Sequence, residues 1–528
     1  MRRFLRLLAL QLLLLMILLA CCDLTSSTRS RNRKKLKTNL CHIKDQKAPI
    51  NCNCLYHGNV TEIDCWVVKP LSRDDPFWAH FSSQHMEKLL LKQHENGILD
   101  YVPAHVLHQM KNLRVFELLY VQMSELPEYS FVNITGLSEL RVTDGKIVKL
   151  HDYSFVNMRN LTILDLGRNN ISEITRETFV ELPVLRTLYL DRNLISTVRD
   201  KAFKQLTSLQ KLVLSRNKIN NIVRDCFQGL RNLQHLDLRN NALTIIGDRS
   251  FVDTPELQVL ELDDNHIKII AGHAFSGLHK LRKLYLSGNR LIKLEPQVLD
   301  SIPSVSFLDL RRNFLETLTF ESIKPIVFNL YNANSSFYLD DNKLSCDCKL
   351  NWTWGLRNET VNVRTKLLLE RLVCYYEINN ATEKIYGEGI DRNLALERNQ
   401  PLEIVQNPEE NNGDNSRYND GEEDGNRDEE DRENYEEVEL EIPPLQNVNV
   451  KADCNGKVCY VKRLFDLKME ELPCPKSSRE DLMASEQPSS HPEKNIRSDL
   501  SNWFSSSAQA VRSVLAASLL PLLFILFT

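Results

Sequence analysis

A chain of 528 residues that is 26% charged and 42% hydrophobic has the make-up of a large folded protein, and its 17 glycines exclude collagen-like and glycine-rich disordered classes. The formal net charge of −4 conceals regional imbalances of both signs. Thirteen cysteines are too few for a dense disulfide scaffold and too clustered to be incidental.

Met1-Arg2-Arg3 and Arg6 form a basic start, and Leu7 to Ala20 is an apolar run of 14 residues. That is short of the roughly 20 residues of a membrane span and fits a secretory signal over 1–22. Leu18-Leu19-Ala20-Cys21 also resembles a bacterial lipoprotein cleavage box, an alternative that the far end of the chain argues against. Residues 23–40 form a basic segment in which Arg29, Arg31, Arg33, Lys34, Lys35 and Lys37 put six positive charges in nine positions. Such a cluster suits heparan sulfate, the acidic insertion described below, or a processing enzyme. The secretory compartment excludes nucleic acid as a partner.

Cys41, Cys52, Cys54 and Cys65 follow in the spacing Cys-x10-Cys-x-Cys-x10-Cys, within an expected N-terminal cap over 41–88. Four cysteines can bind zinc, but an oxidising compartment favours disulfides. From 89 to 344 a 24-residue period takes over: Asn169, Asn193, Asn217, Asn241, Asn265, Asn289 and Asn313 recur without a slip. Each is preceded by apolar-x-x-Leu-x-Leu-x-x, as in Leu185 to Asn193, and followed by an aliphatic residue two positions on. Phe179, Phe203, Phe227, Phe251 and Phe275 stand ten residues past successive asparagines. Earlier units keep register without the Asn, and a final one follows a five-residue insertion, at Leu339 to Leu344. This is the leucine-rich-repeat signature. It implies a leucine-rich-repeat solenoid of about nine to eleven 24-residue repeats, with parallel β-strands on the concave face and disulfide-bonded N- and C-terminal caps. Alternate leucines enter the core, the Asn column satisfies turn backbone groups, and the Phe column fills the convex side. Cys226, one residue before Phe227, reads as a buried free thiol.

The residue between the paired leucines gives one outward column: Glu117, Arg141, Asp165, Tyr189, Val213, Asp237, Glu261, Tyr285, Asp309. The residue before each Asn position gives a second: Tyr120, Asp144, Arg168, Arg192, Arg216, Asn240, Asp264, Gly288, Arg312. Three stacked arginines, Arg168, Arg192 and Arg216, are followed by an acidic patch of Asp237, Glu261, Asp263 and Asp264. Strands about 5 Å apart place these like charges well inside a Debye length, so an opposite-charge partner is expected. A second copy in an antiparallel two-fold arrangement offers one, with Tyr189 and Tyr285 as anchors. His235, on the same face, reads as a solvated side chain.

Cys346, Cys348 and Cys374 mark a C-terminal cap, read as 345–407 and, after an interruption, 442–476 with Cys454, Cys459 and Cys474. The interruption, 408–441, carries sixteen acidic and three basic residues, too polar to offset its ordering entropy, and reads as a disordered acidic insertion. Sequons stand at Asn59, Asn133, Asn160, Asn170, Asn334, Asn351, Asn358 and Asn380, and none falls between Leu185 and Arg312. A stalk over 477–506 leads to small residues around Ser505 and Ser506, a short spacer and a 14-residue apolar tail from Val514 to Phe527. That order reads as a glycosylphosphatidylinositol (GPI) signal over 507–528, with Ser505 or Ser506 as the attachment site and the outer face of the plasma membrane as the destination. A short transmembrane tail is the alternative.

The repeats with cysteine caps, the tail, and the runs Cys52-Asn53-Cys54-Leu55, Asp64-Cys65-Trp66, Phe77 to Ser83 and Glu471-Leu472-Pro473-Cys474 together resemble the insect connectins. The resemblance implies a GPI-anchored molecule mediating homophilic cell adhesion in motor-axon and muscle recognition. The alternative is a GPI-anchored receptor or co-receptor for a different extracellular protein. Resemblance to the flanking modules of leucine-rich-repeat proteins implies the pairs Cys41–Cys54, Cys52–Cys65, Cys346–Cys374 and Cys348–Cys474, with Cys454–Cys459 as a local bridge. Six C-terminal cysteines allow 15 connectivities. No nucleophile elbow, phosphate loop or metal-spaced His/Glu set is present, so no enzyme activity, cofactor or metal is expected.

Overall fold

The structure, a computed structural model, describes residues 40–43, 47–57, 60–83, 86–223, 225–377, 450–454 and 457–474. The expected signal, basic segment, acidic insertion, stalk and GPI signal lie outside the described residues, as do Asn59, Asn380, Ser505 and Ser506. The chain divides into two compact units, one comprising Met1–Leu372 with Lys468–Thr528 and the other Val373–Leu467.

The first unit is organised on a thirteen-stranded sheet. It opens with an antiparallel hairpin, Ile50–His57 against Val60–Val67, whose second strand pairs in parallel with Lys88–Gln93. Each later strand pairs in parallel with the one a repeat earlier, through Val115–Leu119, Glu139–Thr143 and the three-residue strands from Ile163–Asp165 to Ser336–Tyr338. The strands are short because only the Leu-x-Leu core repeats. Leu188 and Leu190 are fully buried, while Thr187 and Tyr189 beside them are half-buried, the period-two alternation of a strand with one face in the core.

The asparagines hold the turns. Asn193 Nδ2 donates to the carbonyls of Leu166, Leu190 and Asp191, and its Oδ1 accepts the N–H of Ile171, so one buried amide ties its own turn to the repeat before it. The pattern recurs at Asn217, Asn241, Asn265, Asn289 and Asn313. It continues at Asn342 beyond the insertion. Gly145 stands in the Asn place of an early repeat, and a Cβ there would come within 2.8 Å of Asn169 Oδ1. On the other side of the core Phe131, Phe155 and Phe179 stack at 5.3 and 5.7 Å between ring centroids, and Phe227, Phe251 and Phe275 at 5.9 and 6.1 Å.

Both ends of the sheet are closed. Cys52 and Cys65 face each other in register and are bonded, and Cys41 is bonded to Cys54. At the far end Trp352–Glu359 and Val363–Glu370 form two helices, Trp352 donates from Nε1 to the Leu318 carbonyl, and Cys348 is bonded to Cys474. Cys346 is disulfide-bonded as well. Cys226 is a buried free thiol whose pKa burial pushes up to about 12. The second unit is a three-stranded antiparallel sheet in the order Val373–Glu377, Lys457–Arg463, Val450–Cys454. Its Cys374 and Cys459 are disulfide-bonded, and the side chain of Cys454 lies outside the described residues.

Candidate recognition surface

Two rows of side chains cross the sheet face. The strand-centre row runs in register from Glu117 through Arg141, Asp165, Tyr189, Val213, Asp237, Glu261 and Tyr285 to Asp309. Its acidic members are not the open patch expected from the sequence. Asp237 is 2% exposed and Glu261 0%, and Asp263, two residues past Glu261, is 7% exposed. The cause is Arg239, two residues past Asp237 and therefore on the same face of the strand. Its Nε and terminal amine donate to Asp237 at 3.0 and 2.8 Å, and its Nε lies 2.7 Å from Glu261 Oε2. His235 Nε2 closes the cluster 2.9 Å from Glu261 Oε1, so His235 is a half-buried, hydrogen-bonded side chain rather than a solvated one. Burial alone would raise the pKa of Asp237, but the guanidinium bonds hold it below the usual carboxylate range. Asp263 Oδ1 accepts the backbone N–H of Ser287 at 2.9 Å. The repulsion that the sequence suggested is therefore cancelled inside the chain.

Asp309 repeats the device with Arg311, and Lys88 links Glu62 and Glu117 at 3.1 and 3.5 Å. Asp165 has no such clamp. Burial, reinforced by the neighbouring Asp191, raises its pKa to about 6 against the lowering effects of the Gly167 N–H and nearby arginines. Tyr189 and Tyr285 are half-buried on this face. Lys211 Nζ stands 5.7 Å from the centre of the Tyr189 ring, and Tyr285 packs 4.5 Å from Phe307, which lies 5.5 Å from Tyr338.

The second row sits where each strand turns into its Asn. Tyr120, Asp144, Arg168, Arg192, Arg216, Asn240, Asp264, Arg312 and Asp341 all adopt φ between 51° and 60°, the left-handed region, and Gly288 joins them at 65°. A non-glycine residue there costs on the order of 1 kcal/mol, sustained only where the surroundings fix the turn. They do: the N–H groups of Tyr120, Arg168, Arg192, Arg216, Asn240, Asp264, Gly288 and Arg312 bond carbonyls of the next repeat, as Arg192 to Ser215 at 2.9 Å and Arg216 to Arg239 at 2.9 Å. Apart from the half-buried Asp144, the side chains of this row stand in solvent. Among the described residues Arg192 pairs with Asp191 at 3.8 Å, Arg168 with Asp144 at 3.3 Å, and Asp264 with Arg312 at 3.3 Å. Arg216 is exposed and makes no ion pair among the described residues.

Of the expected binding residues, the structure thus keeps Arg168, Arg192, Arg216 and Asp264 on the surface, Tyr189 and Tyr285 at half depth, and removes Asp237, Glu261 and Asp263 from it. Arg239, Phe307 and Tyr338 were not anticipated. The motif Asp-Leu-Arg at 237–239 and again at 309–311 is the signal that places an arginine beside each acid. Asn133, Asn160, Asn170, Asn334 and Asn358 are exposed, and Asn351 is half-buried. Among the described residues no three His, Cys, Asp or Glu are placed to hold a metal ion, and no helix is long and apolar enough to cross a membrane.

Residues 135–195, 183–243, 231–291 and 255–315 match the leucine-rich-repeat family. The repeat region is a leucine-rich-repeat solenoid. Scaffolds of this kind are typically binding surfaces rather than enzymes. Over 72 residues, 14% of this chain, the sequence is 40% identical to Connectin of Drosophila melanogaster, and the match spans only 11% of that relative's length. Similar solved chains include one in the glycosylated Toll–Spatzle complex of Drosophila, with 23% identity, a TM-score of 0.46, and coverage of 61% of this chain and 46% of that one. Another is in the TLR13–ssRNA13 complex, at 20% identity, a TM-score of 0.29, and 54% and 58% coverage.

Proposed function

We propose that this chain is a GPI-anchored cell-surface adhesion protein that binds copies of itself on an apposed cell through the sheet face of its solenoid. The observation that carries the reading is the turn row, which exposes arginines over three successive repeats and then Asp264, both signs on one surface of one molecule. A face with both charges can complement itself, with Tyr189 and Tyr285 as apolar anchors. The stretch similar to Connectin and the absence of sequons between 185 and 312 support the same reading, and the resemblance points to axon and muscle recognition. Weak pairs suffice when many anchored copies act together.

A mixed-cell aggregation assay tests it, shaking labelled expressing and non-expressing cells with and without a phospholipase that releases GPI anchors. Clustering of expressing cells only with each other, abolished by release, is the expected result. Recruitment of non-expressing cells would instead establish a receptor for a different ligand. One observation favours that second reading: with Asp237 and Glu261 neutralised internally, Arg168, Arg192 and Arg216 leave the face biased towards an acidic partner.

A further inference from the structure

Charges along the turn row run Asp144 negative, then Arg168, Arg192 and Arg216 positive, Asn240 neutral, Asp264 negative, Gly288 neutral and Arg312 positive, one per repeat. Neighbouring strands are about 4.8 Å apart, so Arg192 and Asp264, three repeats apart, are separated by roughly 14 Å along the sheet and cannot meet within one molecule. A second copy related by a two-fold axis perpendicular to the row runs the same sequence in reverse, and the position of the axis decides which charges meet.

We infer that two copies meet along this row in one register, with the axis between the Arg216 and Asn240 repeats. Arg192 of each copy then faces Asp264 of the other, Asp144 faces Arg312, Arg216 faces Asn240 and Arg168 faces Gly288. No like charges are opposed from Asp144 to Arg312. Other registers are poorer. An axis between Arg192 and Arg216 opposes those two arginines to each other and Asp144 to Asp264. An axis through Arg216 sets that arginine against itself, and one through Asn240 opposes Arg168 to Arg312 and Asp144 to Asp341. An axis between Asp144 and Arg168 re-forms only a pair that already exists inside each chain at 3.3 Å.

Gly288 supports this register. A Cβ at 288 would collide with Asp264 Oδ1, so the glycine lets the Asp264 carboxylate lean over its repeat towards Arg312. That is the repeat that faces Arg168 of the second copy, and the leaning carboxylate is bracketed by Arg168 and Arg192 across the axis. The central pair, Arg192 with Asp264, lies within the stretch that carries no sequon. Exchanging exposed internal pairs for intermolecular ones costs little, since solvent-exposed ion pairs add little to stability.

The inference rests on the self-recognition proposed above, and one experiment separates the two. Cells expressing wild type, Arg192→Glu, Asp264→Arg or both substitutions on one chain are compared for aggregation, with surface display matched by an epitope tag. Each single variant opposes like charges to itself and is expected to fall to the clustering of non-expressing cells. Cells carrying Arg192→Glu mixed with cells carrying Asp264→Arg are expected to form mixed clusters, because the introduced glutamate meets the introduced arginine while the native Arg192 and Asp264 meet in the other pair. The double variant is expected to regain self-clustering, which also shows that neither substitution simply prevents folding. If wild type clusters and the single variants cluster equally well, or the mixture stays dispersed, the register is wrong and self-recognition stands. If wild type does not cluster, self-recognition itself falls.

Discussion

The two rows on the sheet face lie side by side, yet they have opposite physical characters. The strand-centre row closes most of its acids off from solvent: Glu261 and Asp237 share Arg239, and His235 caps the cluster. The turn row carries charges just as close in sequence, but on left-handed turn residues whose side chains are exposed and paired loosely or not at all. The lesson is that charge on a repeat surface is used in two ways. Where neighbouring side chains can close on each other it welds repeats together, and where the backbone lifts it out of the sheet it is free to meet another molecule.

Breaking the welded row should cost most. Glu261→Ala empties a fully buried position and takes from Arg239 and His235 the carboxylate they share, Arg239 keeping Asp237, so a loss of about 3 kcal/mol is expected. A large drop in the thermal midpoint of the soluble ectodomain, followed by circular dichroism, is expected. If the midpoint moved as little as for a surface change, the cluster would be ornamental. Next comes the scaffold under both rows. Asn241→Ala removes bonds to the carbonyls of Leu214, Leu238 and Arg239 and to the N–H of Ile219. Water can reach some of these groups, so about 2–3 kcal/mol is expected, with hydrogen exchange speeding up most at the Ile219 and Arg216 amides.

The sequence makes the welded scaffold legible and hides the weld. A period of 24 residues, the Leu-x-Leu alternation and the unbroken Asn column specify strands, register and turn chemistry, because each depends on local pattern. Whether Asp237 is open or closed depends on the rotamer of Arg239 and the position of Glu261 one repeat on, a contact 22 residues away in sequence. An acid taken alone in its column therefore looks open even where the next repeat closes it. The left-handed turns also escape pattern reading, since nine of the ten positions from Tyr120 to Asp341 lack the glycine that ordinarily signals them.

Asp165 is the strand-centre acid without a clamp, and it sharpens the comparison through pH. Burial, aided by Asp191, lifts its pKa to about 6, whereas an unfolded aspartate loses its proton near 4. Between those values the folded state holds a proton that the unfolded state has released, so stability should fall as pH rises from about 4 to about 6 and then level off. Asp165→Asn keeps an oxygen for the Gly167 N–H, removes that slope and should stabilise the protein at pH 7 by about 2 kcal/mol. Unfolding measured from pH 4 to 7.5 checks it, and an unchanged slope in the variant would assign the titration elsewhere.

The smallest effect on stability is expected in the turn row. Arg192→Glu disturbs an exposed side chain whose ion pair among the described residues spans 3.8 Å, and such a change should move stability by less than about 0.5 kcal/mol. Its backbone turn is held by the bond to Ser215 and by the Asn193 amide, neither of which uses the guanidinium. The same substitution is expected to abolish cell clustering. A variant that unfolds no earlier than wild type but no longer aggregates cells would place recognition in the turn row and cohesion in the strand-centre row. A loss of stability as large as that of Glu261→Ala would mean that the two rows share one role, and that the exposed arginines hold the solenoid together rather than reach beyond it.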